Sequence, residues 1–372
     1  MPNSSSQVPL HPFSLAPLSV WLHLIRANGG VARKHRGRLA TVLLASALTL
    51  PLRLVESLRY GRLVDNTTLT KPPLIILGYG RTGTTHLHNL LVQDHNHASV
   101  TTLQALCPSA YLTVRHWNWL RRAVARNMPA TRPMDNVAVS LDAPQEEELA
   151  LACSCHMSYI HSLTFPDLSS TFFGKYSLLR GVSSQELAQW EQAYMEVVRK
   201  ATAAADGRRI VLKSPTNLGK IAHMLRLFPE AKFVNIMRNP YVVYPSLLRM
   251  RRTLAPVFQL AASDWSEIER TVRRDYAAVM RQYLQDRALI PTGNFTEVLF
   301  EDLVADPMSE MARIYSDLAL PDWKQARQHM EAYLQTVSNY RQNRYRIDQS
   351  VIDVVDRDWG FVLDHWNYSP PG

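Results

Sequence analysis

The sequence predicts an α/β fold in which a parallel β-sheet is flanked by helices, and three observations favour it. Short, continuous apolar runs recur along the chain, which is typical of strands buried on both faces of a sheet. Segments with helical periodicity lie between these runs, as parallel strands require. The 372 residues, 46% of them hydrophobic, suffice to build a sizeable core.

Charge and cysteine content restrict the class of protein. A net charge of +9 suits a nucleic acid, an anionic membrane or a small polyanionic ligand as partner. The three cysteines, Cys107, Cys153 and Cys155, include no C-x-x-C pair. This argues against a disulfide framework and a zinc site, and it fits a reducing compartment. Because the start also lacks the pattern of a secretory signal, we expect a cytoplasmic protein.

Residues 1–70 are predicted to form a helical N-terminal segment outside the sheet, with helices near residues 21–25 and 39–59. The apolar run from Leu39 ends at Pro51, which is short of the ~20 residues that a spanning helix needs. A basic stretch at residues 33–38 precedes it. This pattern favours either peripheral contact of residues 20–60 with the inner face of an anionic membrane, or a helix packed on the protein's own core.

Residues 71–372 are predicted to form the main α/β domain. Its strands are expected at residues 74–77, 210–212, 232–237 and 295–300. Ligands of such sheets bind at the carboxyl ends of the strands. The stretch from about 107 to 207 is mostly helical in pattern, and we expect this insertion to form a cap over the site.

The loop after the first strand has the form of a phosphate-binding loop without its lysine. Gly78 and Gly83 are spaced as in the Walker pattern G-x-x-x-x-G-K-[ST], and Thr85 stands at the hydroxyl position, but Thr84 replaces the lysine. Backbone N–H groups and the helix N-terminus can still hold a phosphate. Binding of a triphosphate with Mg²⁺ needs the lysine, whereas Arg81 can supply the positive charge that binds a phosphosulfate.

A second candidate phosphate site follows a later strand. Arg238 ends the predicted strand and is followed by Asn239-Pro240, with Ser246 near the start of the next helix. An arginine fork and a hydroxyl at a helix start can converge on one phosphate. Taken alone, the Asn-Pro pair is ordinary turn chemistry. Two such motifs in this order, each at a strand end, are a much stronger signal.

Together, the two motifs resemble those of sulfotransferases that use 3′-phosphoadenosine 5′-phosphosulfate (PAPS). Gly80-Arg81-Thr82-Gly83-Thr84-Thr85 is similar to the family's 5′-phosphosulfate loop, and Arg238 with Ser246 is similar to its 3′-phosphate motif. The resemblance covers roughly residues 70–345. It implies a P-loop-type fold, PAPS as donor, an O-sulfated product and no metal requirement. The acceptor would be a hydroxyl-bearing lipid, glycan or small alcohol, and no nucleic acid is expected as partner.

The resemblance also assigns roles to individual residues. Arg81 and Lys213 would stabilise charge on the leaving group. Arg344 would add a 3′-phosphate contact near the C-terminus, although its segment lacks the Gly-rich form of that loop. The residues expected to bind the donor are therefore Gly80, Arg81, Thr82, Gly83, Thr84, Thr85, Arg238, Ser246 and Arg344.

The catalytic base is where the chain departs from the family. Many members carry a histidine just after the position of Lys213, but here the sequence continues Ser-Pro-Thr-Asn. Asp142 and Gln145 are predicted to form a capping box that starts a helix. Glu146 would then lie on its buried stripe, where a raised pKa suits a base. We predict Glu146 as the base, with alternatives at Glu148 and His156.

The interpretations that compete with these predictions remain open in the sequence. Residues 146–148 are all glutamates about 100° apart on a helix, so they are not expected to face one cleft together. Alternatively, their negative charges only stabilise the N-terminus of the helix. At the level of function, the alternatives are a P-loop kinase with a displaced lysine and a non-catalytic nucleotide-binding or membrane scaffold. The missing histidine favours the scaffold. His86 and His88 are about 200° apart on a helix, so no metal site is expected there.

Overall fold

The centre of the protein is a five-stranded parallel sheet. The computed structural model describes residues 11–126, 128, 131–132, 134, 137–338, 343 and 345–371. The strands are β1 (Leu74–Leu77), β2 (His97–Ser99), β3 (Arg209–Lys213), β4 (Lys232–Met237) and β5 (Phe295–Leu299). Their order across the sheet is β2-β3-β1-β4-β5. The predicted α/β fold is confirmed.

Both faces of the sheet are buried, as the continuous apolar runs predicted. In β1, Leu74 and Ile76 belong to one hydrophobic cluster, together with Val234 of β4. Ile75 and Leu77 belong to a second cluster on the other face. Because successive side chains of a strand point to opposite faces, the run Leu-Ile-Ile-Leu supplies both cores.

Strand β2 is the one strand that the sequence analysis missed. It is three residues long and lies at the edge of the sheet, where β3 is its one partner among the described strands. His97 is buried, whereas Ala98 and Ser99 are partly exposed. An edge strand of this length carries no apolar run, so the pattern that found the other strands is absent from it.

In the described part of the chain, three α-helices precede the sheet: α1 (Leu18–Ala27), α2 (Arg36–Leu48) and α3 (Leu50–Asn66). The predicted helix over residues 39–59 is divided between α2 and α3, and the helical stretch continues past Pro51. Pro51 lies in the first turn of α3, where its missing N–H costs no intrahelical hydrogen bond. By length and composition alone, the stretch Arg33–Asn66 is therefore long and apolar enough to cross a membrane.

Helices cover the sheet on both faces. Between β1 and β3 these are α4 (Thr84–Leu91), α5 (Thr102–Leu106), α6 (Tyr111–Val114), α7 (Asn118–Arg126), α8 (Glu147–Ser154), α9 (Ser169–Phe172) and α10 (Ser184–Ala203). After β3 follow α11 (Ile221–Leu227), α12 (Pro240–Phe258), α13 (Trp265–Asp286), α14 (Phe300–Ala305), α15 (Pro307–Asp317), α16 (Trp323–Thr336) and α17 (Gln349–Trp366). Helices α6 to α10 occupy the stretch 107–207.

The chain before α1 is held in place by a buried histidine. The Nδ1 atom of His11 accepts a hydrogen bond from the backbone N–H of Phe13 at 3.1 Å. Its Nε2 atom lies 2.8 Å from the carbonyl oxygen of Phe258, so the neutral tautomer protonated at Nε2 satisfies both contacts. Burial and the charge of Arg38 lower the pKa of His11 to about 3. The neutral imidazole thus ties this segment to the end of α12.

Candidate functional site

The carboxyl ends of β1 and β4 open into one large cavity of about 1990 Å³. This is the edge of the sheet where α/β proteins bind ligands. Nine of the candidate residues named from the sequence lie on its wall: Gly80, Arg81, Gly83, Thr84, Thr85, Glu146, Glu148, Arg238 and Ser246.

The phosphate loop has a backbone shape that few side chains tolerate. Gly83 has φ +99°, and a Cβ atom there would lie 2.2 Å from the ring of Phe300. A Cβ atom on Gly78, at φ +147°, would lie 2.7 Å from Thr84. Arg81 adopts φ +74°, which is uncommon for a residue other than glycine. Such strain is typical of functional sites that the surrounding structure holds in place.

Hydrogen bonds join the two phosphate motifs into one cluster. The Nε–H of Arg81 donates to the hydroxyl of Ser246 at 3.0 Å. The guanidinium of Arg238 donates to the carbonyl oxygen of Arg81 at 3.2 Å and stacks over the ring of Phe300 at 4.3 Å. Residues far apart in the sequence therefore present two guanidinium groups at one place, an arrangement suited to a ligand with several negative charges.

Two members of this cluster were missed by the sequence analysis. Arg132, from the segment between α7 and α8, donates to the hydroxyl of Thr85 at 3.3 Å. Tyr345 accepts from the hydroxyl of Ser246 at 3.0 Å. Neither contact has a local sequence signal, because each depends on how a distant segment folds over the loop. The neighbouring Arg344, which the sequence analysis proposed, lies outside the described residues.

Glu146 and Lys213 form an ion pair beside the phosphate loop. The Nζ atom of Lys213, at the end of β3, donates to Glu146 at 2.7 Å. The Lys213 side chain is 2% exposed, whereas that of Glu146 is 20% exposed and lies on the cavity wall. Lys213 is not one of the described residues that line the cavity. The carboxylate therefore faces the ligand space, and the ammonium group lies behind it.

The start of α8 differs from the prediction. The helix begins at Glu147, and Glu146 is its N-cap residue with an extended backbone. Asp142 caps nothing here, since its carboxylate pairs with Arg121 on the surface at 2.7 Å. Gln145 accepts a hydrogen bond from the N–H of Glu146 instead of closing a capping box. The placement of Glu146 on a helical stripe was thus wrong, although the residue does reach the cavity.

Glu147, the first residue of α8, is buried against the segment that follows β3. Its carboxylate accepts hydrogen bonds from the backbone N–H of Lys213 at 2.9 Å and from the Asn217 side chain at 2.6 Å. Burial raises the pKa of Glu147. The contacts with Lys213 and Asn217 fix the helix start to the strand end.

Glu148 is fully buried and binds the same segment further along. One carboxylate oxygen accepts from the hydroxyl of Ser158 at 2.7 Å. The other accepts from the hydroxyl of Thr216 at 2.8 Å and from the Lys220 ammonium at 3.1 Å. Glu146 and Glu148 are among the described residues that line the cavity, whereas Glu147 is not. The three glutamates therefore do not all face the cleft, as the sequence analysis expected.

The candidate histidines His86 and His156 lie in different environments. His156 stacks on His23 with ring centroids 3.6 Å apart, and burial with the nearby His23 lowers its pKa to about 4. It is not among the described residues lining the cavity. His86 does line the cavity, and burial lowers its pKa, so its ring is neutral near pH 7. Within the described ranges, no group of three or more His, Cys, Asp or Glu side chains is placed to hold a metal ion.

Comparison with known proteins identifies the family. A model described as the sulfotransferase family matches residues 72–325, which is more than half of the chain. The chain belongs to the sulfotransferase family. This sulfotransferase is also 30% identical over 351 residues to the omega-hydroxy-beta-dihydromenaquinone-9 sulfotransferase Stf3 of Mycobacterium bovis and to that of Mycobacterium tuberculosis. Each match covers 94% of this chain and 89% of the relative.

Solved structures share the fold of this sulfotransferase. STF9 from Mycobacterium avium has a TM-score of 0.67 at 17% identity, covering 96% of this chain and 98% of its own. STF1 from Mycobacterium tuberculosis H37Rv has a TM-score of 0.64 at 19% identity, covering 92% and 91%. The predicted P-loop-type fold and the predicted enzyme class are confirmed. The kinase and scaffold alternatives give way to an enzyme that transfers a sulfuryl group to a hydroxyl.

Proposed function

We propose that this sulfotransferase takes its sulfuryl group from PAPS and transfers it to the hydroxyl of a long-chain lipid alcohol. The observation that carries the proposal is that one cavity is lined both by the arginine cluster and by many aliphatic and aromatic side chains. At about 1990 Å³, it exceeds the roughly 300–1,000 Å³ of an ordinary small-molecule pocket. A nucleotide donor alone leaves much of this space for a second, apolar ligand.

The donor would occupy the polar end. The backbone from Gly80 to Gly83 and the hydroxyls of Thr84 and Thr85 would hold the 5′-phosphosulfate at the start of α4. Arg238 and Ser246 would hold the 3′-phosphate. Arg132, which already contacts Thr85, would add a cation from the side of the insertion. The buried Thr82 hydroxyl donates to the carbonyl oxygen of Tyr79 at 2.9 Å and would keep the loop in shape.

The acceptor would occupy the apolar end. Aliphatic and aromatic side chains dominate that wall, and they suit a hydrocarbon chain better than the many hydroxyls of a glycan. The relative Stf3 supports this choice, since its name specifies an omega-hydroxylated menaquinone derivative. The apolar residues include Leu149, Ile160, Leu163, Phe173, Met250 and Leu254.

In the transfer step, Glu146 would act as the general base. Its carboxylate would accept the proton of the acceptor hydroxyl while the hydroxyl oxygen attacks the sulfur atom. The bond from sulfur to the bridging phosphate oxygen breaks, and 3′-phosphoadenosine 5′-phosphate (PAP) leaves. Arg81 would stabilise the charge on that oxygen. Lys213 would position Glu146 rather than contact the donor, and no metal ion is required in this scheme.

We place the reaction in the cytoplasm, at the inner face of a membrane. The three cysteines are free, and burial raises the pKa of each thiol, which keeps them protonated. Free, unreactive thiols suit a reducing compartment. A long-chain alcohol of the kind proposed resides in the membrane, so the enzyme would meet it there.

Calorimetric titration with PAP tests the donor site. We expect micromolar binding to the wild type and about 10–100-fold weaker binding to Arg238→Ala, since a charge-assisted hydrogen bond contributes about 1.5–3 kcal/mol. Arg327→Ala is the matched control, because Arg327 is a surface arginine paired with Glu331. Unchanged PAP affinity in Arg238→Ala, or binding of ATP with Mg²⁺ in place of PAP, would contradict the proposed donor.

Transfer assays with labelled PAPS test the acceptor. We expect kcat/KM to rise with chain length in a series of primary alcohols that share one hydroxylated end. Each further buried methylene contributes about 0.8 kcal/mol, or roughly fourfold, until the apolar wall is filled. Glycans with a primary hydroxyl serve as the comparison. Equal rates for short and long alcohols, or transfer to glycans alone, would overturn the lipid proposal and leave the donor site intact.

A further inference from the structure

Helices α2 and α3 carry an exposed apolar surface. Among the described residues, seven of the twelve exposed large hydrophobic side chains lie on these two helices, and Leu58 is 88% exposed. Scattered exposed leucines are normal, but such a concentration marks an interaction site. We call this surface the α2–α3 face; it consists of Leu44, Leu48, Leu50, Leu54, Val55, Leu58 and Leu63.

The charges around the α2–α3 face are predominantly basic. From residue 33 to residue 66, the exposed charged side chains are five basic residues and one acidic residue, Asp65, at the end of α3. The other acidic residue in this range, Glu56, is buried on the opposite side. An apolar surface bordered by cations matches an anionic lipid surface, because the cations contact the headgroups while the apolar side chains enter the hydrocarbon boundary. The bordering cations are Arg33, Lys34, Arg36, Arg59 and Arg62.

The other side of these helices is bound to the protein. Val42 of α2 is fully buried. The carboxylate of Glu56 in α3 accepts hydrogen bonds from the backbone N–H groups of Leu112 at 3.1 Å and Thr113 at 2.7 Å. Helices held along one side by such contacts lie on the surface of the protein. They therefore suit insertion parallel to a membrane rather than passage across it, despite their length.

The same helices contact the wall of the cavity. The hydroxyl of Ser46 in α2 donates to the carbonyl oxygen of Ala16 at 2.6 Å. The guanidinium of Arg53 in α3 donates to the carbonyl oxygen of Leu15 at 3.5 Å. Leu15 lines the cavity, as do three residues just before it, His11, Pro12 and Ser14. The α2–α3 face is thus connected through one short segment to the space assigned to the acceptor.

We propose that the α2–α3 face inserts into an anionic lipid monolayer, and that the acceptor alcohol enters the cavity from that monolayer past residues 11–15. This inference rests on the lipid acceptor proposed above. It explains why the exposed apolar side chains lie on the helices that contact the cavity wall. A second copy of this chain is the alternative occupant of the same face.

Flotation with vesicles tests the surface directly. We expect the wild type to float with vesicles of phosphatidylcholine and phosphatidylglycerol, and to bind pure phosphatidylcholine more weakly. Leu48→Gln, Leu54→Gln and Leu58→Gln combined should reduce binding by at least about tenfold, since three apolar side chains lose their burial. Leu58→Gln alone is compared with Leu289→Gln, a matched exposed leucine elsewhere on the protein. Equal thermal unfolding of variants and wild type shows that each is folded.

Activity and oligomeric state complete the test. We expect the triple variant to lose at least about tenfold in kcat/KM for a long-chain alcohol embedded in vesicles, and to keep its rate for a short, soluble alcohol. If the wild type transfers to the embedded alcohol but does not bind vesicles, the membrane inference is wrong, whereas the proposed lipid acceptor still stands. Vesicle binding without transfer to any alcohol would overturn the acceptor instead. The wild type could instead be a dimer that does not float with vesicles, while the triple variant is a monomer. That result would show that the α2–α3 face binds a second copy of this chain.

Discussion

Replacing Glu146 with glutamine is expected to lower kcat by about 10²–10⁴-fold, the usual contribution of a general base. The amide has the same shape and can still accept a hydrogen bond from Lys213, but it cannot take up the acceptor's proton. Glu146 lies on the cavity wall with 20% of its side chain exposed, and it does not belong to the phosphate-binding cluster. Steady-state transfer from labelled PAPS measures kcat, and PAP titration should show unchanged affinity.

Two further variants make this result specific. Glu230→Gln alters an exposed carboxylate remote from the cavity and should retain wild-type kcat. His86→Gln removes a neutral imidazole that also lines the cavity, and we expect it to cost far less than Glu146→Gln. If instead His86→Gln abolishes transfer while Glu146→Gln stays within about tenfold of wild type, the base is His86.

The sheet and the donor loops could be predicted because their causes are local in the sequence. A strand between two buried faces needs a continuous apolar run, and residues 74–77 provide one. The spacing of Gly78 and Gly83 reflects backbone angles that only glycine adopts at low cost. Arg81 and Ser246 follow strand ends of a parallel sheet, where the topology brings them together. The 3.0 Å contact between them is the result of these local patterns.

The environment of Glu146 could not be predicted, because it is decided by distant residues. Helical periodicity and an apparent capping box placed the helix start at Asp142. In the structure, Lys213 and Asn217 bind the glutamates at positions 146 and 147, and these contacts move the helix start to Glu147. A pattern that depends on local propensity contains no information about partners nearly seventy residues away. The contacts of Arg132 and Tyr345 were missed for the same reason.

The N-terminal helices show a different limit of sequence reasoning. The sequence left two alternatives for residues 20–60, membrane contact or packing on the core. In the structure, one side of α2 and α3 packs on the protein through Val42 and Glu56, and the other side is exposed. Periodicity identifies an apolar helix, but it cannot tell which apolar residues the rest of the chain covers.

Removing the carboxylate of Glu148 is expected to produce the largest loss of stability. Glu148 and Lys220 form an ion pair in which neither side chain is exposed by more than 1%. Glu148→Ala leaves the Lys220 ammonium buried without its counter-charge, and it also deprives the hydroxyls of Ser158 and Thr216 of their acceptor. Breaking such a pair costs about 3–5 kcal/mol of the free energy of unfolding. Chemical denaturation measures the loss.

A second substitution separates the buried charge from the lost packing. Lys220 lies 4.8 Å from the ring centroid of Trp190, so methionine can fill its place with a favourable sulfur–aromatic contact. Glu148→Ala combined with Lys220→Met should therefore recover much of the loss, because no unpaired charge remains. Glu196→Ala is the control: its carboxylate is 53% exposed in the pair with Lys200, and we expect a cost below about 1 kcal/mol.

Chemical denaturation and the transfer assay of Glu148→Ala together decide whether Glu148 is structural or catalytic. With Ser158, Thr216 and Lys220 all bound to its two oxygens, Glu148 has little capacity to accept a proton from a substrate. A Glu148→Ala protein that unfolds at wild-type denaturant concentration, yet transfers no sulfuryl group, would contradict this assignment. It would move the base from Glu146 to Glu148. A destabilised protein that retains transfer at low temperature would instead separate the two roles, with Glu148 holding α8 against the segment that follows β3 and Glu146 facing the acceptor.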